Sequence, residues 1–285
     1  MEIKASQVKE LRDITGVAMM DCKKALVDCD GDIEKALDLL RSNSALKAEK
    51  KSSRVAADGV LVISIGDSYG TIVEVNSETD FAAKDSNFLS FAEKVKEYIS
   101  NNKVLSIETF ASTPLEDDRK TLVQTIGENV QLRRLKTIEF SQDMNIGMYL
   151  HPDSKLGSLV TMKNGTNEIA KDVAMHVSAF NPLCLSKDDI ESEILEREKS
   201  IYMNQAEESG KPKEIMDKMV EGKVNRFLSE VSLLSQSFVK NPDITIKDYI
   251  DNADASIVSF VRFKVGEGIE VKSKDFAEEV AEQLK

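Results

Sequence analysis

The fold class is decided by the segment Gly59-Val60-Leu61-Val62-Ile63-Ser64-Ile65, which is followed by Gly66-Asp67-Ser68-Tyr69-Gly70 and then by Thr71-Ile72-Val73-Glu74-Val75. The two outer stretches are apolar and rich in β-branched residues, which is typical of strands. The middle stretch has the glycines and small polar residues of a turn. The sequence therefore predicts a β-hairpin at 59–75.

A later region repeats this order of elements. Residues 147–151 and 157–162 have strand character, and the spacing of Gly59 and Gly70 resembles that of Gly147 and Gly157. A helix with one apolar face follows each predicted hairpin. We therefore expect two duplicated α+β subdomains with antiparallel sheets, and the alternative is coincidence of a common motif. The apolar faces consist of Phe88, Phe91, Val95 and Tyr98 in the first repeat and of Ile169, Val173, Ala174 and Val177 in the second, and the first repeat has a further helix with Leu122, Ile126 and Val130.

Three short helices are predicted before the first hairpin. Ser6 caps the first helix and Gly16 ends it, the second runs from Met19 toward Gly31, and Asp32 caps the third. The basic, serine-containing stretch 47–54 that follows is interpreted as a tether and a domain boundary. The apolar positions have helical spacing and are Val8, Leu11 and Ile14, then Cys22, Ala25 and Leu26, then Ile33, Ala36, Leu37 and Leu40.

Residues 187–234 have a helical pattern and many charges. Ser209-Gly210-Lys211-Pro212 divides them, because glycine ends a helix and proline suits a first helical turn. We predict an antiparallel helical hairpin that projects from the core. The strand predicted at 256–263 then completes the second sheet. A terminal helix capped by Asp275 carries Phe276, Val280 and Leu284 on one face.

This α+β chain is therefore expected to have five parts. They are an N-terminal three-helix domain with its basic tether at 1–55, a first core subdomain at 56–140, a second core subdomain at 141–180 and 231–264, an inserted helical hairpin at 181–230, and a C-terminal module at 265–285.

Composition excludes several classes of protein. The 285 residues include 38 basic and 50 acidic side chains, a net charge of −12, which argues against direct binding of nucleic acid. The longest apolar runs are far shorter than the roughly 18 residues of a membrane-spanning helix. The three cysteines are scattered and Glu2 makes the start of the chain charged, so the sequence predicts a cytoplasmic protein without a secretory signal.

Motifs of catalysis and of cofactor binding are missing from the sequence. It has two histidines, and it contains no C-x-x-C or H-E-x-x-H pair, no phosphate loop and no G-x-S-x-G. Gly266 and Gly268 form a G-x-G without the third glycine of a dinucleotide site. The missing motifs argue against an enzyme without excluding one, and we predict no metal, no cofactor, no catalytic residue and no enzymatic activity.

The segment Glu78-Thr79-Asp80-Phe81-Ala82-Ala83-Lys84 directly follows the second strand. Phe81, Phe88 and Val95 are seven positions apart, so one continuous helix would place all three in the core, and spacing alone favours that interpretation. Phe81 would be exposed only if the helix restarts near Asp85-Ser86. An exposed aromatic ring beside a carboxylate would then suit an interface anchor.

Thr79-Asp80-Phe81-Ala82-Ala83-Lys84 resembles the signature of the translation elongation factor Ts family, the nucleotide exchange factors of elongation factor Tu. The run Leu11–Leu26 is also similar to this family, and the matches lie in order over the whole chain. Ala82 departs from the pattern, because the family usually has valine there. The further matches are Gly31-Asp32-Ile33-Glu34, Ile126-Gly127-Glu128-Asn129, Val173-Ala174-Met175-His176, Ser209-Gly210-Lys211-Pro212 and Val265-Gly266-Glu267-Gly268-Ile269-Glu270.

The resemblance implies a ubiquitin-associated-like (UBA-like) N-terminal domain that docks on the GTPase domain of elongation factor Tu. The matching contact positions are Arg12, Met19, Met20, Lys23 and Lys51. For Met19, Met20 and Lys51 there is a simpler alternative. One of the two methionines could fill the core, since adjacent helical residues point in different directions, and Lys51 could be a solvated residue of the tether.

The resemblance also implies that Asp80 and Phe81 intrude near the partner's Mg²⁺ and phosphate site, which makes Thr79–Lys84 a magnesium-dislocation motif. Ile126 and Gly127 match a second contact, and His151 matches a third, for which the alternative is an ordinary surface histidine. His176, on an apolar helix face, is interpreted as structural. The terminal helix is expected to pack on the partner. The helical hairpin resembles a coiled-coil dimerisation arm, so a homodimer or a 2:2 complex would form through this hairpin and the core.

The sequence is compatible with three functions. The first is a guanine-nucleotide exchange factor that binds elongation factor Tu–GDP and promotes GDP release so that GTP can bind. The second is a non-catalytic adaptor that binds a partner and dimerises. The third is a hydrolase that uses Asp or Glu and His151 or His176.

Overall fold

The computed structural model describes residues 3–208 and 210–270. The terminal helix expected at Asp275 lies outside these residues, as does Ser209 of the predicted interhelical turn. The helices are α1 (Ala5–Thr15), α2 (Met19–Asp28), α3 (Ile33–Lys51), α4 (Asp80–Ala83), α5 (Ser86–Asn101), α6 (Pro114–Ile126), α7 (Asn167–Phe180), α8 (Ser192–Glu207), α9 (Lys213–Val231) and α10 (Ile246–Asp251). The strands are β1 (Asp58–Ile65), β2 (Tyr69–Ser77), β3 (Gln131–Glu139), β4 (Met144–Leu150), β5 (Leu156–Lys163), β6 (Ser237–Phe238), β7 (Asn241–Thr245) and β8 (Ser256–Lys264).

Two three-stranded antiparallel sheets form the centre of the molecule. Their strand orders are β1-β2-β3 and β4-β5-β8, so each has the second strand of a hairpin in the middle. Both hairpins are confirmed, and so is the prediction that the strand near residue 260 completes the second sheet. The α+β class is confirmed with them. Together, β6 and β7 form a separate small hairpin.

A register break occurs at matching places in the two sheets. It lies between Glu74 and Val75 in β2 and between Thr161 and Met162 in β5. When the two sheets are aligned at these register breaks, Gly70 corresponds to Gly157. A Cβ at Gly70 would lie 2.5 Å from Ile146 of the other sheet, and one at Gly157 would lie 2.9 Å from Ile63. Because neither glycine has a Cβ, the opposite sheet can pack closely at both positions.

The other glycine equivalence expected from the sequence is wrong. Val62 pairs with Val73, and Gly147 pairs with Val160, so Gly147 corresponds to Val62 rather than to Gly59. A Cβ at Gly147 would lie 2.1 Å from the backbone of Ala170. This glycine is therefore required for the close packing of α7 on β4.

The two sheets pack face to face. In β1, Val60 and Val62 belong to the core beneath α5 and α6, whereas Leu61 and Ile63 belong to a core shared with the second sheet. Burial on both faces explains why this strand is an uninterrupted apolar run. The shared core consists of Leu61, Ile63, Ile72, Ile138, Leu159 and Phe263, with Ile146, Leu150, Val261 and Val265 packed against it.

The N-terminal unit has the three predicted helices, with two corrections. Helix α1 begins at Ala5 after Lys4, and Ser6 does not cap it. The stretch expected to be a tether is helical as far as Lys51, because Ser44 and Ala48 of α3 are buried, and α3 packs against α6. Gly16 and Asp32 act as predicted, since Gly16 ends α1 with a φ of 66° and the Asp32 carboxylate accepts from the amide of Lys35 at 3.1 Å.

Three further features differ from the sequence predictions. Helix α6 ends at Ile126, so Val130 is buried in the following loop rather than in the helix. Strand β3 was not predicted. The elements β6, β7 and α10, which connect the helical hairpin to β8, were not predicted either.

The inserted helices α8 and α9 pack against each other and bury little. Their buried residues are Ala206 and Val224. The Lys223 ammonium donates to Gln205 Oε1 at 2.6 Å and lies 5.6 Å from the centre of the Tyr202 ring. The predicted coiled coil remains a prediction. Among the helices of residues 3–208 and 210–270, none has the length and apolar character needed to cross a bilayer.

Candidate partner-binding site

The segment that follows β2 forms a single helical turn and then bends. Thr79 precedes α4, and its Oγ1 accepts from the amide of Ala82 at 3.2 Å. The Asp85 carboxylate then accepts from the amide of Asn87 at 2.8 Å and starts α5 as a new helix. The restart at Asp85-Ser86, on which exposure of Phe81 depended, is therefore present.

Phe81 is 81% exposed, although Phe88 and Val95 are fully buried. The core position that spacing alone favoured for Phe81 is thus wrong, since a break between α4 and α5 removes the continuous helix on which that inference rested. Ala82 and Ala83 are buried. The turn is therefore anchored by its buried side, and the aromatic ring of Phe81 points into solvent. We name residues 79–84 the Phe81 turn.

Asp80 is a charged neighbour of the exposed ring. Its Oδ2 lies 2.7 Å from the ammonium of Lys84. This hydrogen bond lowers the pKa of Asp80, with a smaller contribution from the charge of Lys155, and it raises the pKa of Lys84. The Phe81 turn therefore carries an ionised carboxylate and an ammonium group at neutral pH.

The loop after α6 is bonded directly to the Phe81 turn. Glu128 accepts from the amide of Thr79 at 3.0 Å and from its hydroxyl at 2.7 Å. In return, Glu78 accepts from the amide of Asn129 at 2.6 Å. The structure thus brings the predicted contact at Ile126 and Gly127 beside the predicted contact at Asp80 and Phe81. Glu128 is part of a motif that matches the family, but the sequence alone indicates no role for it.

Lys51 reaches the same loop from the end of α3. Its ammonium donates to the carbonyl of Gly127, which ends α6 with a φ of 84°. Burial lowers the pKa of Lys51, and the nearby charge of Arg54 adds to this effect. Lys51 is therefore neither a solvated tether residue nor a free cation, because its ammonium holds the loop.

His151 lies on an exposed turn between β4 and β5. Its Nδ1 is 2.9 Å from the Asp153 carboxylate. Within the same turn, Ser154 accepts from the amide of Leu61 at 2.7 Å, and Lys155 forms an ion pair with Asp58 at 2.8 Å. The His151 turn is therefore bonded to residues of β1, the strand that α4 of the Phe81 turn also contacts.

The N-terminal contact positions of α1 and α2 are exposed. Met19 is 50% exposed and Met20 is 74% exposed, so the idea that one of them fills the core is wrong. Leu11, Cys22 and Leu26 fill the core instead. Arg12 and Lys23 are exposed. Ile14, which the apolar spacing predicted to lie in the core, is also exposed, by 59%.

The second histidine is buried, and both of its ring nitrogens are hydrogen-bonded. His176 Nε2 lies 3.0 Å from Gln236 Oε1, and its Nδ1 accepts from the amide of Val239 at 3.2 Å. Burial lowers its pKa, although the bond to Gln236 opposes this. The structural interpretation of His176 is confirmed, and the hydrolase hypothesis loses one of its two histidines. Within residues 3–208 and 210–270, no group of three or more His, Cys, Asp or Glu side chains is arranged to hold a metal ion.

Comparison with known proteins gives a consistent result over the full chain. The model of a family described as "Elongation factor TS" matches residues 78–267. The elongation factor Ts of Hahella chejuensis is 50% identical over 285 residues, with 99% of each chain covered. That of Saccharophagus degradans is 47% identical, with 100% of this chain and 98% of the relative covered. That of Francisella tularensis subsp. novicida is 46% identical, with 99% of each chain covered.

Proposed function

This chain belongs to the elongation factor Ts family, and we propose that it releases GDP from elongation factor Tu by pressing Asp80 and Phe81 against the partner's Mg²⁺ and phosphate region. It is a nucleotide exchange factor of translation elongation, and elongation factor Tu is its partner. The mechanism proposed here involves no bond chemistry in this chain. Its place of action is the cytoplasm.

The observation that carries this proposal is the 81% exposure of Phe81 on a turn whose ends are both fixed. A large apolar side chain gains nothing from solvent. A fixed and exposed aromatic ring is instead well suited to enter a pocket of a partner, where such anchors dominate the binding energy. Asp80 places an ionised carboxylate beside it, which suits a role near a cation.

The exchange step follows from competition. A nucleotide bound to a GTPase depends on Mg²⁺ and on the groups that surround its phosphates. A wedge that displaces those groups weakens nucleotide binding, and by linkage the nucleotide weakens binding of the wedge by the same factor. The factor therefore expels GDP and is itself displaced when GTP enters.

The remaining contacts divide into two areas. Ile126 and Gly127 precede the loop residue that bonds the Phe81 turn, and together with His151 they would extend the contact there. Arg12, Met19, Met20 and Lys23 form the docking face of the N-terminal domain, which we propose to be UBA-like. Exposed methionines favour this role because their flexible side chains adapt to a partner surface. For Lys51 we propose an indirect role, since its ammonium donates to Gly127.

We also propose that the inserted helices form a coiled-coil arm for self-association, as a homodimer or a 2:2 complex. In support, α8 and α9 bury little between them, and Ile201, Met203 and Ile215 are exposed by 38%, 51% and 46%. Direct binding of nucleic acid is not part of the proposal, because the net charge is −12. Sedimentation of the free factor would measure its oligomeric state, and a monomer at all concentrations would contradict the dimer.

The test of function is release of labelled GDP from elongation factor Tu with a substoichiometric amount of this factor. We expect release to accelerate and each factor molecule to act many times. Unchanged release would contradict the proposal. Binding to the partner without faster release would support the adaptor hypothesis instead.

A further inference from the structure

We infer that Glu128 is a positioning residue for the Phe81 turn, and that it completes from a neighbouring loop the cap that α4 cannot complete by itself. The inference rests on the proposed function, in which Phe81 must be presented in a defined orientation. Glu128 acts on the geometry of the turn and need not touch the partner.

A helix of one turn has little stability of its own. Helix α4 contains only Asp80–Ala83, and the first turn of a helix is the one that costs most to form. In a complete capping box, the hydroxyl of the capping Ser or Thr accepts from the third amide of the helix, and a Glu or Gln at that third position accepts from the amide of the capping residue. Thr79 makes the first bond with Ala82. Ala82 has no side-chain acceptor and cannot make the second.

Glu128 supplies the missing acceptor from the loop after α6. One carboxylate oxygen accepts from the amide of Thr79 at 3.0 Å, and the other accepts from its hydroxyl at 2.7 Å. The Thr79 hydroxyl therefore donates to Glu128 while it accepts from Ala82. Both bonds to Glu128 involve a charged acceptor, which makes them stronger than bonds between neutral groups.

The loop that carries Glu128 is itself anchored. The amide of Asn129 donates to Glu78, and the Asn129 side chain donates to the carbonyl of Arg54 at 2.8 Å. Lys51 donates to the carbonyl of Gly127. Since residues on both sides of Glu128 are held, its carboxylate is a fixed support for Thr79 rather than a mobile surface charge.

Removing this support has a specific kinetic consequence. The Phe81 turn would be ordered in fewer free molecules and would have to form during the exchange step. Docking through the N-terminal area would not change. We expect the maximal rate of GDP release to fall about tenfold, which corresponds to the loss of a helix cap. The concentration of factor that gives half of this rate should stay within about twofold, because uniform binding is preserved.

The experiment compares four variants of the full chain, Glu128→Ala, Thr79→Val, Thr79→Ser and Asp248→Ala. Asp248 of α10 is the matched control, since its carboxylate likewise accepts from the amide and the hydroxyl of a capping threonine, at 3.0 and 2.6 Å. Two quantities are measured: hydrogen exchange of the Ala82 and Ala83 amides in the free factor, and GDP release against factor concentration.

We expect Glu128→Ala and Thr79→Val to accelerate exchange of the two amides and to lower the maximal release rate. Thr79→Ser keeps the hydroxyl and should restore most of the amide protection and release rate that Thr79→Val loses, and Asp248→Ala should leave both quantities unchanged. If Glu128→Ala does not fold, Glu128→Gln decides the question, because it keeps the size of the side chain and removes the charge that strengthens both bonds. It should change both quantities in the same direction as expected for Glu128→Ala, but less.

Wild-type amide exchange in Glu128→Ala would overturn the inference. So would a change confined to the half-saturating concentration, which would mean that Glu128 contacts the partner directly. Failure of the wild type to accelerate GDP release would instead contradict the proposed function, and the amide measurement would still test the positioning role.

Discussion

The two sheets have the same strand order, but the connections from their middle strands to the next helix differ. In the first repeat, residues 78–85 lie between β2 and α5 and contain the Phe81 turn. In the second, only 164–166 lie between β5 and α7, where Asn164 and Gly165 adopt φ values of 57° and 71° and Thr166 caps α7 directly. The sheets thus supply a shared framework, and the longer connection of the first repeat supplies the exposed aromatic ring.

The helices also pack differently on the two sheets. In the first repeat, Val62 lies in the core beneath α5. In the second, the corresponding position is Gly147, and the backbone of α7 packs directly on it. The second repeat therefore gains close helix packing, whereas the first gains the Phe81 turn. Four measurements of the free energy of unfolding test this difference between the two repeats.

The largest effect is expected for Phe88→Ala in α5. Phe88 is fully buried, so the substitution removes its packing and leaves a cavity, which typically costs about 3–5 kcal/mol. Urea denaturation measures the loss. A loss below about 1 kcal/mol would mean that α5 does not anchor the first repeat.

Gly147→Ala in β4 should be next. Its Cβ would lie 2.1 Å from the backbone of Ala170, so α7 must shift, at about 1–3 kcal/mol. Gly222→Ala in α9 is the matched control, because nothing lies within 4 Å of its Cβ, and it should be neutral or stabilising. Equal stabilities of the two variants would contradict the close packing of α7.

A smaller effect is expected from the pH dependence of His176. Its pKa is lowered by burial, so in the pH range between its folded pKa and the ordinary value near 6.5 the unfolded chain binds a proton that the folded chain does not. Stability is complete above pH 6.5 and decreases as the pH falls below it. Between pH 7.5 and 5.5, the wild type should lose more stability than His176→Gln. Parallel losses would show that His176 does not titrate on unfolding.

The smallest effect on unfolding is expected for Phe81→Ala. The ring is 81% exposed, and substitutions at exposed positions usually change stability by less than about 0.5 kcal/mol. Thermal or urea denaturation measures this. A loss similar to that of Phe88→Ala would place Phe81 in the core after all.

Much of the framework could be predicted from the sequence, because hairpins and amphipathic helices leave local patterns. Strand β3 could not. Arg133 and Arg134 interrupt its apolar pattern, and their role is visible only in space, where both bond the buried carboxylate of Glu74 at the junction of the sheets. Burial opposes ionisation of Glu74, but bonds from Gly266, Arg134 and Asn76 outweigh it and lower its pKa.

The sequence singles out the residues of the candidate site but does not determine their geometry. The motif identified Asp80 and Phe81, whereas exposure of Phe81 depended on whether Asp85 starts a new helix, which spacing could not decide. The bonds from Lys51 to Gly127 and from Thr79 to Glu128 join residues that are distant in sequence. Local patterns contain no information on such contacts, and for that reason Lys51 was expected in a tether and Glu128 received no role.

Stimulated GDP release by Phe81→Ala at saturating concentration shows whether the Phe81 turn drives nucleotide release. Phe180→Ala is the matched control, since Phe180 is an exposed aromatic residue of the second repeat, 49% exposed at the end of α7. We predict that Phe81→Ala lowers the maximal rate about 100-fold, as expected for an interface anchor, while Phe180→Ala releases GDP like the wild type. Wild-type release by Phe81→Ala, or equal losses in the two variants, would mean that the Phe81 ring does not specifically drive GDP release.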